Sequence, residues 1–122
     1  MSHQIEQLRN HIIVCGFGGT GNMLARELKV GGAQFVIVER STERLEEALA
    51  LGYLCLHADA SDETTLQQAG VERARALATV LPDDAVNVFV TLSARSLNKA
   101  MMIIARGRIA IDGIQAAICR RQ

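Results

Sequence analysis

The chain has 122 residues, of which 49% are hydrophobic and 21% charged, a composition typical of one folded domain. Thirteen basic and thirteen acidic residues give a formal net charge of zero, which argues against nucleic acid as a partner. No stretch of the sequence reaches the roughly 20 apolar residues of a membrane span, so we expect no direct insertion into a membrane.

Apolar runs of strand length alternate with segments of helical periodicity along the chain. The predicted strands cover residues 11–15, 34–38, 53–57, 74–81 and 100–104. The predicted helices lie at residues 19–30, 41–52, 62–70 and 83–98. This alternation predicts an α/β domain, a Rossmann-like doubly wound parallel sheet of five or six strands. The tail at residues 106–122 follows neither period, so its structure is not predicted.

A glycine-rich hexapeptide, GFGGTG, at residues 16–21 follows the first predicted strand and opens the first predicted helix. In this context the G-x-G-x-x-G pattern indicates a dinucleotide-binding loop. Gly16 would permit the tight turn, Gly18 would let a pyrophosphate approach the backbone, and Gly21 would let the helix pack on the strand. The alternative is a tight strand–helix turn that binds nothing.

Polar residues follow the next strands at the same edge of the predicted sheet. A carboxylate at Glu39 can accept both ribose hydroxyls of an adenosine and repel a 2′-phosphate, which favours NAD over NADP. The adjacent Arg40 could pair with that phosphate, stack on adenine or lie in solvent. Asp59 and Ala60 could contact the adenine, although Asp59 could equally be a turn residue. Asn87 could face the ligand or lie exposed.

The sequence predicts neither catalytic residues nor a metal site. The three cysteines are widely spaced, which favours a reduced, cytoplasmic protein without a disulfide framework. No histidine has a partner at a spacing typical of nucleophilic catalysis or zinc binding. A hydride-transfer enzyme also needs a surface that presents its substrate to the nicotinamide, and one nucleotide-binding unit uses nearly the whole chain. We therefore expect a binding or regulatory module rather than an enzyme.

The predicted helix at residues 83–98 carries apolar side chains around most of its circumference. Such a helix is usually buried on two sides. The second cover would be another copy of the protein or, alternatively, the C-terminal tail.

Five segments together resemble the RCK (TrkA-N) domain. They are residues 10–18, the pair Glu39-Arg40, DASD at 59–62, LQQAGVERA at 66–74 and DDAVN at 83–87. The last three in combination are not general to dinucleotide-binding domains. The opening at residues 8–16 looks more like the channel-linked members of the family.

The resemblance implies a cytosolic regulatory domain that gates a potassium channel or transporter at the inner face of the cell membrane. Its ligand would be NAD or NADH, with AMP, ADP and ATP as alternatives. Its partners would be a pore or transporter subunit and further copies of itself, in a dimer or a ring. An NAD(P)-dependent oxidoreductase, or part of one, is the alternative function, and an oligomerisation module with a vestigial nucleotide site is a third.

The resemblance also assigns boundaries and site residues by position. Residues 1–10 would be a lead-in segment, 11–107 the nucleotide-binding lobe, and 108–122 a tail that departs from the family's pattern. The phosphate loop would comprise Gly16, Phe17, Gly18, Gly19, Thr20 and Gly21. Glu39 would bind ribose, Arg40, Asp59 and Ala60 would border the adenosine, and Arg106 would lie near the ligand or a subunit interface.

Overall fold

The structure is a computed structural model that describes residues 2–106 and 116–119. The helices in these ranges are α1 (Ser2–Glu6), α2 (Gly19–Val30), α3 (Thr42–Ala50), α4 (Glu63–Gln68) and α5 (Asp84–Leu97), with a 3-10 turn at Val71–Arg73. The strands are β1 (Ile12–Cys15), β2 (Phe35–Glu39), β3 (Cys55–His57), β4 (Ala76–Thr79), β5 (Met102–Arg106) and β6 (Ala116–Cys119).

All strands belong to one parallel sheet in the order β3-β2-β1-β4-β5-β6. From β1 the chain first builds outward through β2 and β3, and then returns to build outward through β4 on the other side. This is the doubly wound order of dinucleotide-binding folds. The predicted fold class is therefore confirmed.

Helices cover both faces of the sheet, and the central strands are buried on both sides. Along β1, Ile13 and Cys15 pack into one apolar cluster, whereas Ile12 and Val14 pack into the other. The first cluster includes Leu66 of α4 and residues of α5, and the second includes residues of α2 and α3. Since successive residues of a strand point to opposite faces, this two-sided burial explains why the strand sequences lack polar alternation.

Side-chain caps begin two of the helices. The Ser41 hydroxyl accepts the Arg44 N–H at 3.4 Å at the start of α3. The Asp83 carboxylate accepts the Ala85 N–H at 2.8 Å at the start of α5. By contrast, the residue that precedes α2, Gly18, has no side chain to accept the first N–H groups of the helix. Its N-terminus is therefore left without a cap from the chain itself.

Helix α1 was not predicted from the sequence, where residues 1–10 read only as a lead-in segment. Its Ile5 and the following Leu8 are 2% and 9% exposed and join the larger apolar cluster. Arg73 holds the end of this segment, because its Nε donates to the Leu8 carbonyl oxygen at 2.9 Å and its Nη2 to that of Ile5 at 3.4 Å. The division of the chain at residues 10 and 107 stays a prediction.

Strand β5 is displaced from the predicted range, residues 100–104, to Met102–Arg106. Residues before it form a turn, in which the Asn98 Oδ1 accepts the Ala100 N–H at 3.1 Å. The Met102 N–H then donates to the Arg75 carbonyl oxygen at 3.0 Å and starts the strand. In the tail, Ala116–Cys119 pairs with β5 as a sixth strand, and the rest of residues 107–122 lies outside the described part.

Within the described part of the chain, no helix combines the length and the apolar composition that crossing a bilayer requires.

Candidate functional site

A cavity of about 700 Å³ opens at the carboxyl edge of the sheet. Its walls come from the loops that follow β1, β2, β3 and β4 and from the last residue of β5. The direction of strand order reverses between β1 and β4, and open α/β sheets bind their ligands at such a switch point. The volume is within the range of about 300–1,000 Å³ of small-molecule sites.

Most of the predicted site residues line this cavity. They are Gly16, Gly18, Gly19, Thr20, Glu39, Arg40, Asp59, Ala60 and Arg106. The cavity lining does not include the other two, Phe17 and Gly21.

The fold itself requires two of the glycines in the loop. Gly16 has a φ of +106°, a conformation that favours glycine, and its N–H donates to the Val38 carbonyl oxygen at 2.9 Å. A Cβ atom on Gly21 would collide with the carbonyl oxygen of Gly16. These glycines therefore provide the tight turn and the close packing of α2 on β1.

The fold does not require glycine at the two positions between them. Gly18 has ordinary extended angles, φ −78° and ψ −160°. A Cβ atom there would stand 3.5 Å from its nearest neighbour, an ordinary contact, and one on Gly19 would meet nothing within 4 Å. Because neither glycine has a side chain, the backbone at the uncapped N-terminus of α2 is open to the cavity. A phosphate group fits this surface, because free helix N–H groups and the helix dipole favour anions.

Phe17 has a structural position that the sequence did not reveal. The residue is only 2% exposed, and its ring packs edge to face with that of Tyr53, with ring centroids 6.0 Å apart. Its backbone N–H donates to Oε1 of Glu39 at 2.7 Å. The structure thus places the Phe17 side chain in the core rather than in the cavity.

Glu39 is the last residue of β2 and connects two loops of the site. Its Oε1 accepts the Phe17 N–H, and its Oε2 accepts the Ser41 N–H at 2.9 Å. The side chain is almost buried, at 6% exposure, yet lines the cavity. Each carboxylate oxygen has a further lone pair, so the group can still accept hydroxyl donors from a ligand.

Arg40 and Asp59 face each other at the β2 and β3 side of the cavity, with Nη1 and Oδ2 3.6 Å apart. The Asp59 Oδ1 also accepts the Ser61 N–H at 2.9 Å and its hydroxyl at 2.7 Å. The Ser61 hydrogen bonds, from the backbone first and the hydroxyl second, hold the pKa of Asp59 below its usual value. Asp59 is thus both a turn residue and a charged wall of the cavity.

Asn87 neither faces the cavity nor lies exposed, so both interpretations from the sequence are wrong. The side chain is fully buried. Its Oδ1 accepts the Thr79 hydroxyl at 2.7 Å and the Leu81 N–H at 2.9 Å. Its Nδ2 donates to the carbonyl oxygens of Leu81 at 2.9 Å and Arg106 at 3.4 Å. Asn87 therefore joins the ends of β4 and β5 beneath the cavity.

Sequence reasoning missed Ser41 and Arg44, which also line the cavity. Both could have been found, because a helix that starts directly after β2 brings its cap and first turn to the edge of the sheet. Arg44 lies in that first turn, three residues after the Ser41 cap.

Groups for metal or thiol chemistry are not assembled in the described residues. No three His, Cys, Asp or Glu side chains within residues 2–106 and 116–119 come together as a metal site. Burial raises the pKa of Cys15 to about 12 and that of Cys55 to about 11. Both thiols are therefore protonated at neutral pH and unreactive as nucleophiles.

Comparison with known sequences relates this chain to potassium transport proteins. The sequence profile of the TrkA-N domain matches residues 12–112. Potassium channel protein 1 of Methanocaldococcus jannaschii is 40% identical over 108 residues, which are 87% of this chain and 32% of that protein. The chain thus spans about a third of the length of this relative.

Solved structures agree with the sequence match. The TrkA-N domain of the inner membrane protein ybaL from Escherichia coli has a TM-score of 0.79 and 28% identity, and the match covers 84% of this chain and 76% of that one. The GsuK channel bound to NAD has a TM-score of 0.74 and 25% identity, with 83% and 18% coverage. GsuK bound to ADP has a TM-score of 0.72 and 25% identity, with 93% and 32% coverage. Since the family profile covers residues 12–112, most of the chain, this protein belongs to the TrkA-N domain family.

Proposed function

We propose that this chain is a nucleotide-binding regulatory domain that controls a potassium channel or transporter. Its identity of 40% to a potassium channel protein over 87% of the chain supports this role. The domain would act in the cytoplasm, at the inner face of the membrane, beside a pore or transporter subunit. The same identity to a channel protein favours the channel-linked type.

The ligand we propose is NAD or NADH, with ADP, ATP and AMP as alternatives. One observation carries the site: Gly18 and Glu39 line one cavity, and the fold gives no reason for glycine at position 18. The loop of residues 16–21 would hold phosphate, and Glu39 would hold the ribose hydroxyls. Arg40, Asp59 and Ala60 would border the adenine. Arg106, at the far wall, would contact the part of the ligand beyond the phosphates.

Regulation would follow from a difference in affinity between two arrangements of paired domains. A ligand shifts such an equilibrium only by the ratio of its affinities for the two states. A tenfold preference corresponds to about 1.4 kcal/mol per site, and several sites in a ring would add their contributions.

Helix α5 is the surface that we propose for pairing. Phe89 and Leu92 on its outer face are 52% and 46% exposed. Exposed large apolar side chains at helical spacing are typical of a face that a partner covers. The partner would be a second copy of this domain, in a dimer or a larger ring.

A regulatory role is proposed in preference to that of an oxidoreductase. An oxidoreductase needs groups that place a substrate and move its proton beside the nicotinamide. His57, the histidine nearest the cavity loops, donates its Nε2–H to the Arg40 carbonyl oxygen at 3.0 Å and is exposed. We therefore propose that bound nucleotide acts as a signal and is not turned over.

The test of the ligand site is Gly18→Ala, with Gly31→Ala as its matched control. A methyl group at position 18 would occupy the phosphate approach, but it meets only ordinary contacts within the protein. A methyl group at position 31, far from the cavity at the end of α2, also meets only ordinary contacts. We expect Gly18→Ala to weaken NAD and ADP binding at least tenfold, or about 1.4 kcal/mol, and Gly31→Ala to bind normally.

Binding is measured by calorimetry and by the rise in melting temperature that a ligand of the folded state produces. Equal melting temperatures of the two variants without ligand would show that the fold is intact. Wild-type affinity in Gly18→Ala would contradict the phosphate-loop assignment. No binding of NAD, NADH, AMP, ADP or ATP to the unmodified domain would contradict the proposed nucleotide site as a whole.

A further inference from the structure

Arg44 is a cationic side chain in the wall of the cavity. The nucleotide site proposed above assigns no role to it. It lies in the first turn of α3, and its backbone N–H is held by the Ser41 hydroxyl. Its guanidinium reaches back across the cavity edge to the glycine loop. There Nη1 and Cζ stand 3.5 and 3.8 Å from the point that a Cβ atom on Gly18 would occupy.

The charge of Arg44 has no partner within the described part of the chain. Arg40 is paired with Asp59, whereas the guanidinium of Arg44 makes no hydrogen bond or ion pair with the residues that the structure describes. An exposed arginine alone is a common surface residue. Here, however, its five donors lie over a glycine whose missing side chain leaves them open to the cavity.

A second source of positive potential lies on the other side of the same glycine. The N-terminus of α2 begins at Gly18 without a side-chain cap, so its first N–H groups also face outward. Glu39, a carboxylate of the same cavity, already accepts two backbone N–H groups and is the group proposed for the ribose. An anion in the region of the cavity between Arg44 and the start of α2 would therefore be stabilised by both groups.

We propose that Arg44 binds the 5′-phosphate or pyrophosphate of the nucleotide, opposite the glycine loop. The ligand class is then an adenine nucleotide that is held from two sides at its phosphates and not only by its adenosine. A guanidinium matches two phosphate oxygens with parallel hydrogen bonds, which an ammonium group cannot do. This inference rests on the nucleotide site proposed above. It adds the side chain through which the affinity of that site for a nucleotide depends on the phosphate groups of the nucleotide.

The test compares adenosine, AMP, ADP, NAD and NADP on the unmodified domain and on Arg44→Ala, Arg44→Lys and Arg40→Ala, by calorimetry at constant salt. We expect Arg44→Ala to weaken AMP, ADP and NAD binding at least tenfold and to leave adenosine unchanged. Arg44→Lys should recover part of the loss, since it restores charge without the fork. Arg40→Ala is the control for removing a neighbouring positive charge, and its effect should be similar for adenosine and for ADP.

The outcomes separate this inference from the function on which it rests. If the unmodified domain binds ADP or NAD and Arg44→Ala binds them equally well, the inference is wrong and the nucleotide site stands. If Arg44→Ala loses only NADP, Arg44 contacts a 2′-phosphate and the inference is wrong. If adenosine and ADP weaken together, Arg44 supports the site without touching phosphate, and the inference is again wrong. If the unmodified domain binds none of the ligands, the proposed function fails and the inference with it.

Discussion

The His11 imidazole is completely buried at the start of β1, where its Nε2–H donates to the Ala69 carbonyl oxygen at 2.8 Å. Its Nδ1 is buried without a hydrogen-bond partner among the described residues. Burial lowers the pKa of His11 below its ordinary value of 6.5, and the nearby Arg73 and Arg9 lower it further. The hydrogen bond from His11 to Ala69 opposes this shift only in part. A second proton, on Nδ1, would therefore have no acceptor.

This burial makes the stability of the domain depend on pH. Because the unfolded chain binds a proton at His11 near pH 6.5 and the folded chain does not, stability is complete above that value. It falls as the pH drops below 6.5, towards the pKa of the folded state. We expect the melting temperature to decrease between pH 7.5 and pH 5.5.

The variant His11→Gln should have a lower melting temperature at pH 7.5 but a smaller decrease towards pH 5.5. His3→Gln, at an exposed histidine, should keep the full decrease. An identical pH dependence in His11→Gln would show that His11 does not cause it. Thermal unfolding followed by circular dichroism measures both quantities.

At the level of elements, Arg73 attaches α1 to the rest of the domain. Its two hydrogen bonds satisfy carbonyl oxygens of Ile5 and Leu8, and its own carbonyl oxygen accepts the Asn10 N–H at 2.8 Å. A hydrogen bond to a charged group contributes about 1.5–3 kcal/mol. The first ten residues are thus attached by hydrogen bonds to Arg73 in addition to the apolar contacts of Ile5 and Leu8.

We expect Arg73→Ala to release α1 while the sheet stays folded. Amide hydrogen exchange at Gln7 and Leu8, whose N–H groups bond to Gln4 and Ile5, should become at least ten times faster. Exchange in β2 should not change. Arg75→Ala, at an exposed arginine two residues further on, is the control and should leave α1 protected. Unchanged exchange in Arg73→Ala would mean that Ile5 and Leu8 alone hold the segment.

The sequence correctly predicts the strands and turns that are determined by a local pattern of residues. The run at residues 12–15 reads as a strand because both faces are buried, and GFGGTG reads as a turn because Gly16 and Gly21 are sterically required there. Helix α1 is missed because five residues are too short to display a helical period. The predicted start of β5 is two residues too early. The turn before the strand contains a hydrogen bond from the Ala100 N–H to the Asn98 side chain, and a pattern of apolar residues does not reveal such a bond.

A site residue can be predicted only where its position at the end of a strand or in the following loop determines whether it faces the cavity. Gly18 and Glu39 reach the cavity because they end or follow strands at one edge of the sheet. Phe17 turns into the core because Tyr53, distant in sequence, provides a contact for its ring. Asn87 turns inward because four polar groups of the β4 and β5 ends need a partner. Such contacts depend on tertiary structure, which a single sequence does not display.

At the level of the whole molecule, α5 leaves the large apolar side chains of Phe89 and Leu92 exposed. We expect the purified domain to self-associate at micromolar concentration and Phe89→Asp to shift it towards the monomer. Met23→Asp, on α2 and exposed at 61% against 52% for Phe89, is the control and should associate as the unmodified domain does. Sedimentation velocity measures the distribution. A monomeric unmodified domain, or equal effects of both variants, would contradict pairing through α5.

The buried Asn87 also determines which wall of the cavity is ordered before a ligand binds. Its hydrogen bonds hold backbone groups of Leu81 and Arg106, so the backbone at the β4 and β5 ends is preorganised. The opposite wall depends on the Arg40–Asp59 pair, whose side chains are 78% and 42% exposed. If a nucleotide binds as proposed, the entropic cost of ordering the Arg40 and Asp59 side chains would fall on its adenosine side, whereas the backbone at the β4 and β5 ends is already ordered.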